Sequence, residues 1–327
     1  MDKINLGQCI LAPMAGITGF PFRKTALKYG AGFSFTEMIS AIGFLHNDRG
    51  TLELLETGND IDKTGIQLFG SDPDILAQAA KKAADKGFKV IDVNMGCPVK
   101  KVVKTGAGSA ILKDIKGFSL IAGSVRSALK DSMLTIKIRS GFDENSVNFL
   151  EIGKIAESSG IDAVFFHPRT RSLMFGGAAD HSLTKRLKNE IAIPVYASGD
   201  IFTVDDAVTI KDYTGVDGIM FARGAIGKPW VFADYLNAQS FDEKNNRMHL
   251  DINQKIDIII ELMEEISLFY GRERGHNLVR PHLYNFLKGF KGSKGSRCMV
   301  NNARTEKEIL EILNILRTTD DEYIWLD

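Results

Sequence analysis

Eight short apolar runs recur through the first two-thirds of the chain, and each leads into a segment able to form a helix. They span 9–15, 33–39, 64–70, 90–96, 133–139, 163–169, 194–200 and 218–224. The segment 73–86 is typical of the intervening stretches, with Ala, Leu and Lys inside and Ser71 or Asp72 available as an N-terminal cap. Strands alternating with helices predict a parallel sheet. Eight such units within about 230 residues match a (β/α)8 barrel in both count and length. A doubly wound open sheet is the alternative, but it usually carries about six strands and an early glycine fingerprint, which is missing here.

In such a barrel, chemistry gathers at the C-terminal ends of the strands. Those ends carry Pro13-Met14-Ala15, Glu37, Gln67, Asn94 with Cys97, Lys137 with Arg139, His167, Ser198-Gly199-Asp200 and Ala222-Arg223-Gly224. One polar residue on a strand of Ile, Val and Phe is most often a satisfied core group. Several converging on one rim favour a site, because burying each without a partner is costly. The turns after the seventh and eighth strands are built from small residues. They let backbone N–H groups approach a phosphate at the place this fold commonly uses, with Arg223 as a charged clamp.

The stretch 90–110, VIDVNMGCPVKKVVKTGAGSA, is the most informative. Pro98 ends a buried strand, so Cys97 sits where strand gives way to loop. A lone Cys is more often a buried structural residue. Here Lys100, Lys101 and Lys104 follow at once, and nearby lysines favour both thiolate and bound anions. The expectation is a reactive thiol beside a phosphate-gripping loop.

Net charge is zero, so any affinity for nucleic acid must come from local basic patches. The three cysteines, Cys9, Cys97 and Cys298, fit neither a zinc site nor a disulfide framework, and no metal is expected. The start of the chain lacks a signal-peptide layout and no run of 18 apolar residues occurs, so a cytoplasmic protein without a membrane span is expected. After Trp230 the pattern changes. Helical spacing over 251–270, and helical segments over 278–290 and 305–317, predict a small helical domain beyond a polar linker at 237–247. Two domains are expected, 1–240 and 241–327. Arg280, His282, Lys288, Lys291 and Lys294 form a basic run that reads as an RNA-backbone contact, against the blander possibility of a solvated helix face and glycine-rich loop.

The motifs in order resemble the dihydrouridine synthases, flavin enzymes that reduce uridine in RNA. They are APMAGIT (12–18), QLFGSDP (67–73), NMGCPVKKVVKTGAGSAIL (94–112), TIKIRSGFD (135–143), HPRTRSLMFGGAAD (167–180), SGDI (198–201) and ARGAIGKPWVF (222–232). Pro168, Ser198 and Asn285-Phe286 depart from the family's usual Gly, Asn and aromatic pair.

The resemblance implies an oxidoreductase holding FMN, with NADPH as reductant. Pro13, Met14 and Ala15 would face the ring and ribityl chain, and Gln67 and Lys137 the polar ring edge. His167, Ser198, Gly199, Asp200, Ala222, Arg223 and Gly224 would surround the ribityl and phosphate. Hydride would pass from flavin N5 to uracil C6, with Cys97 donating the proton to C5. Asn94 would orient the base. Lys100, Lys101, Lys104, Arg169, Arg171, Arg280 and His282 would contact the RNA, expected to be tRNA and bound by a monomer. Ribosomal RNA, a free dihydroorotate- or dihydropyrimidine-type substrate, and a non-catalytic RNA-binding barrel are the alternatives.

Overall fold

The structure is a computed structural model that describes residues 4–239, 250–288 and 293–318. Its strands are β1 (Cys9–Leu11), β2 (Phe33–Ser40), β3 (Thr64–Phe69), β4 (Val90–Met95), β5 (Met133–Gly141), β6 (Ala163–Thr170), β7 (Val195–Ala197) and β8 (Gly218–Phe221). They pair in parallel and in chain order, and β8 closes on β1 from Cys9↔Ile219 to Leu11↔Phe221. The expected barrel is therefore present, and all eight runs contain a strand. Three, β1, β7 and β8, are shorter than expected by three or four residues. β1 stops before Pro13, which has no N–H for the ladder. β7 runs only from after Pro194 to the Ser198-Gly199-Asp200 turn, where Gly199 and Asp200 take positive φ.

Strand parity builds the core. Odd and even positions alternate between two apolar layers. Ile91, Val93, Leu134, Ile136, Val164 and Phe166 pack outward beneath the helices. Val90, Phe33, Phe35, Phe165, Tyr196 and Met220 fill the barrel interior. There, Phe35 and Phe165 meet edge-on at 5.1 Å and plug the lower half. The connecting helix Pro73–Asp85 is capped by Asp72, whose carboxylate accepts from the Asp74 and Ile75 N–H groups at 2.9 Å. Ser71 instead donates to the Thr105 carbonyl at 2.8 Å, tying down the loop after β4.

The C-terminal part is helical, as expected. Helix Ile252–Tyr270 starts at a capping box formed by Asp251 and Gln254. Helix Arg272–Leu287 begins six residues before the expected 278, and its last expected residues lie outside the described ones. The supposed glycine-rich loop contains a helix, Ser293–Asn302, that accommodates Gly295. Helix Glu306–Thr318 closes the described chain. Positions 240–247 of the expected linker, and with them the domain boundary, lie outside the described residues, while 237–239 belong to helix Val231–Gln239. The helical part shares the barrel's outer core. It is further joined to helix Phe20–Lys28 by the ion pairs Lys24–Glu265 (2.8 Å) and Lys28–Glu261. No helix among the described residues is long and apolar enough to cross a membrane.

Candidate active site

Along three adjacent strands the inward-facing residues change from apolar to polar on the way up the barrel. β4 presents Val90, Asp92 and Asn94; β5 presents Thr135, Lys137 and Arg139; β6 presents Phe165, His167 and Arg169. The register aligns them, with Asp92 beside Thr135, Asn94 beside Lys137 and Arg139 beside His167. Above the aromatic plug a cavity of about 350 Å³ opens at the C-terminal rim, within the size range of small-molecule sites. Of the twelve residues expected to hold a cofactor, ten line it: Pro13, Met14, Ala15, Lys137, His167, Ser198, Gly199, Asp200, Ala222 and Arg223. Asn94 and Cys97 line it too.

Cys97 is held in place by its backbone. Asn94 Oδ1 accepts from the Cys97 N–H (2.9 Å) and the Gly96 N–H (3.2 Å), which folds the strand end into a tight turn. Ser109 returns to the Cys97 carbonyl through both its N–H (3.1 Å) and its hydroxyl (2.9 Å). This return passes through Gly108, at φ +61°, where a side chain would sit 2.8 Å from the Cys97 carbonyl oxygen. Gly108 serves this approach to Cys97, while Gly106, at φ +81°, faces Ser71. The thiol is 8% exposed, and burial raises its pKa; the Val99 N–H, Arg139 and Lys137 pull the other way. Lys100, Lys101 and Lys104 stand exposed on the rim, outside the cavity, and are not among the groups acting on the thiol. The expected lysine-stabilised thiolate is thus replaced by a protonated thiol.

The opposite side is organised by an ion-pair cluster. Arg169 donates to both Asp200 oxygens, to the Gly176 carbonyl (3.1 Å) and to the Gly177 carbonyl (2.7 Å). Arg223 reaches Asp200 at 3.1 Å and lies between the rings of Phe202 (4.8 Å) and Phe175 (5.2 Å). The Asp200 carboxyl is raised by burial, but the Arg169 hydrogen bonds and charge prevail and hold it below its ordinary range. Burial first, then Lys137, Arg139, Arg169 and Arg223, depress the His167 pKa, so the ring is neutral. Its Nε2 lies 3.2 Å from an Arg169 N–H and accepts from it, which leaves the proton on Nδ1. Gly199, at φ +106°, leaves open the space beside His167: a Cβ there would come within 2.6 Å of the ring.

Several expected contacts fall elsewhere. Gln67 lies beneath the cavity and does not line it, because its Nε2 donates to Asp92 (2.6 Å) and its Oε1 accepts from Asn94 (2.9 Å). Gly224 is buried under the turns after β7 and β8, where a side chain would strike the Ile201 carbonyl at 2.5 Å. Arg169, expected on the RNA surface, is 2% exposed with its donors committed inside. Arg171 is half-buried against the Phe142 ring. Arg280 donates to His276 and to the Ala303 carbonyl, both at 2.8 Å, and so joins helices of the C-terminal part. His282 is 1% exposed against Phe22 and has no surface for RNA. Of the expected basic run, Lys288 and Lys294 are exposed and Lys291 lies outside the described residues. Conversely, Asp92, Phe175 and Phe202 belong to the site or its floor and were not expected there, and Arg139, expected at the rim, had no role assigned to it. Asp92 could have been found by stepping two residues along the strand from Asn94.

The residues fit the FMN that the resemblance implies. Lys137 lines the cavity and makes no hydrogen bond or ion pair among the described residues; burial, with Arg139 nearby, lowers it to about 8. His167 Nδ1 has no protein acceptor among them either. An unpaired cation at one end and an arginine with small-residue turns at the other suit a ring that becomes anionic on reduction and a single phosphate.

The "Dihydrouridine synthase (Dus)" family model matches residues 10–320. Among curated proteins, the "tRNA-dihydrouridine synthase B" of Pasteurella multocida is 38% identical over 302 residues, covering 92% of this chain and 90% of that protein. The protein of the same name from Pseudomonas aeruginosa is 37% identical, covering 89% and 87%. Among solved structures, a histamine dehydrogenase from Rhizobium sp. 4-9 superposes with a TM-score of 0.55 at 13% identity, covering 82% of this chain and 50% of that one. A 2-naphthoyl-CoA reductase complex superposes with the same TM-score at 12% identity, covering 70% and 50%. These last two establish a shared fold only.

Proposed function

The chain belongs to the dihydrouridine synthase family, and we propose that it reduces specific uridines of tRNA to 5,6-dihydrouridine with FMN and NADPH. The observation that carries the reading is Cys97, a protonated thiol on the wall of a cavity whose other walls suit a flavin. When bound, FMN would supply hydride chemistry, passing reducing equivalents from NADPH to C6 of the uracil. Pro13–Ala15, in the loop after β1, would hold the ring. Lys137 would face its polar edge, and Ser198, Gly199, Ala222 and Arg223 would surround the phosphate. Cys97 gives its proton to C5, completing a two-electron reduction in which one hydride and one proton add across the double bond. Lys100, Lys101 and Lys104 meet the RNA backbone at the rim. The target uridine must leave its stack to reach a site this deep.

A free small-molecule substrate is less well supported, since the curated relatives described above are named for tRNA. The protein is read as a monomer, and a tRNA substrate supports a cytoplasmic location. The helices from 250 onward read as the RNA-binding domain beside a barrel of residues 1–240.

Single-turnover oxidation of reduced enzyme by substrate tRNA tests the reading. Cys97→Ala leaves FMN bound and reducible by NADPH but slows this step by about 10²–10⁴-fold, the usual worth of a positioned general acid. A near-normal rate would reject the role of Cys97. A purified protein without FMN would reject the reading altogether.

A further inference from the structure

We propose that Asp92, two residues before Asn94 on β4, is a positioning residue for Cys97, acting through a one-way chain of hydrogen bonds across the cavity floor. The inference rests on Cys97 being the proton donor.

The chain starts at the turn. The Gly96 and Cys97 N–H groups can only donate, so the oxygen of the Asn94 amide must face them, at 3.2 and 2.9 Å. Its nitrogen then points the other way, to Gln67 Oε1 at 2.9 Å and to the Met38 sulfur at 3.1 Å. Gln67 in turn must present Nε2, and Nε2 meets Asp92 at 2.6 Å. Thr135 fills the other Asp92 oxygen at 2.7 Å.

A side-chain amide can turn over at little cost unless its partners forbid it. The turn's N–H groups orient Asn94 from one end, and Asp92, the acceptor at the other end, holds Gln67 with its oxygen toward the Asn94 nitrogen. Asp92 is fully buried. With the acceptor gone, Gln67 Nε2 is buried without a partner and Gln67 is free to shift. The Asn94 nitrogen then loses its fixed partner, and the Cys97 turn is held from one side only. Asp92 does not itself line the cavity, and the influence proposed for it on Cys97 is geometric.

Lys137 lies close enough to Asp92 for its charge to be felt, so the carboxylate could instead act electrostatically on the cofactor side. Two substitutions separate the routes. Asp92→Leu removes the acceptor. Asp92→Asn removes the charge but can still accept from Gln67 while donating to Thr135.

The two half-reactions are measured separately: reduction of bound FMN by NADPH, and oxidation of the reduced enzyme by tRNA. Asp92→Leu is expected to slow the second by on the order of 10–100-fold, the cost of misplacing a reacting group by a fraction of an ångström to an ångström. The first should change less than about twofold, and Asp92→Asn should restore most of the second. If Asp92→Leu does not fold, Gln67→Leu breaks the chain at its next link and carries the same expectation for the second half-reaction.

Equal slowing by Asp92→Asn and Asp92→Leu would overturn the proposal in favour of charge. Parallel slowing of both half-reactions would overturn it in favour of a general packing defect, and a normal tRNA step in Asp92→Leu would overturn it outright. Cys97→Ala in the same assay tells apart the two levels. A fast Cys97→Ala rejects the proton-donor role on which this rests, whereas a slow Cys97→Ala with a fast Asp92→Leu rejects only the chain.

Discussion

Replacing Arg169 by Ala removes a fork that holds four groups together. Its guanidinium bonds both oxygens of Asp200 and the carbonyls of Gly176 and Gly177, and it fixes the proton of His167. Removing one member of a buried ion pair costs about 3–5 kcal/mol, because the other charge is stranded. Here Asp200 keeps Arg223 (3.1 Å) and the Ala179 N–H (2.9 Å), and its side chain is 29% exposed. Solvent and the remaining partners reduce the cost, so about 2–3 kcal/mol is the working figure. For a chain of 327 residues that corresponds to a fall in Tm of about 3–4 °C. Thermal unfolding of the FMN-loaded protein measures it. Arg169→Lys recovers little, since an ammonium cannot make the planar two-point contact. An RNA-contacting role predicts the opposite pattern: an unchanged Tm, and weaker tRNA binding with a shallower salt dependence. That result would refute the structural assignment.

Two further outcomes are expected. Lys137 has its pKa lowered to about 8 by burial and Arg139, partly offset by Asp92 and Cys97, so its charge is present below that pH and lost above it. FMN binding to the apoprotein should weaken as pH rises through about 8 and lose this dependence in Lys137→Met; a fluorescence titration showing the same pH dependence in both would exclude Lys137 as its source. Substituting Lys100, Lys101 and Lys104 together by Ala should weaken tRNA binding and flatten the log Kd against log[salt] slope by about 2–3, with NADPH oxidation intact. An unchanged slope would show that these exposed side chains meet only solvent.

The fold was legible because its signal is periodic. Eight apolar runs of strand length separated by helix-forming segments leave little choice but a closed parallel barrel, and strand ends mark its active rim. The cavity-lining residues were legible for the same reason: Lys137, His167 and the two turns after β7 and β8 are strand-end positions. What sequence could not show is which polar groups satisfy one another. Arg169 and Asp200 are 31 residues apart, and both are attractive ligands for phosphate or RNA when read singly. Only in three dimensions do they meet. Gln67 is likewise drawn beneath the cavity by Asp92, and His282 is turned inward against Phe22. In the C-terminal part, Gly295 and a run of charges concealed helix Ser293–Asn302, whose Val300 is buried by packing against its neighbours.

The charge around the cavity bears on the acid role proposed for its thiol. Lys137, Arg139, Arg169 and Arg223 stand around it, and Asp92 and Asp200 oppose them. Arg169 and Arg223 share Asp200, while Arg139 donates to the carbonyls of Thr170 and Met174, which carry no net charge. The surplus is positive. Burial first, and this surplus with it, keeps His167 neutral, so the imidazole can donate one hydrogen bond without holding a second proton. The same surplus draws Cys97 toward thiolate, yet burial outweighs it and the proton stays. An anionic ligand beside Lys137 would cancel part of the positive field and hold that proton more firmly. Binding the cofactor would therefore suppress the thiolate, leaving Cys97 poised to release its proton only when C5 demands it.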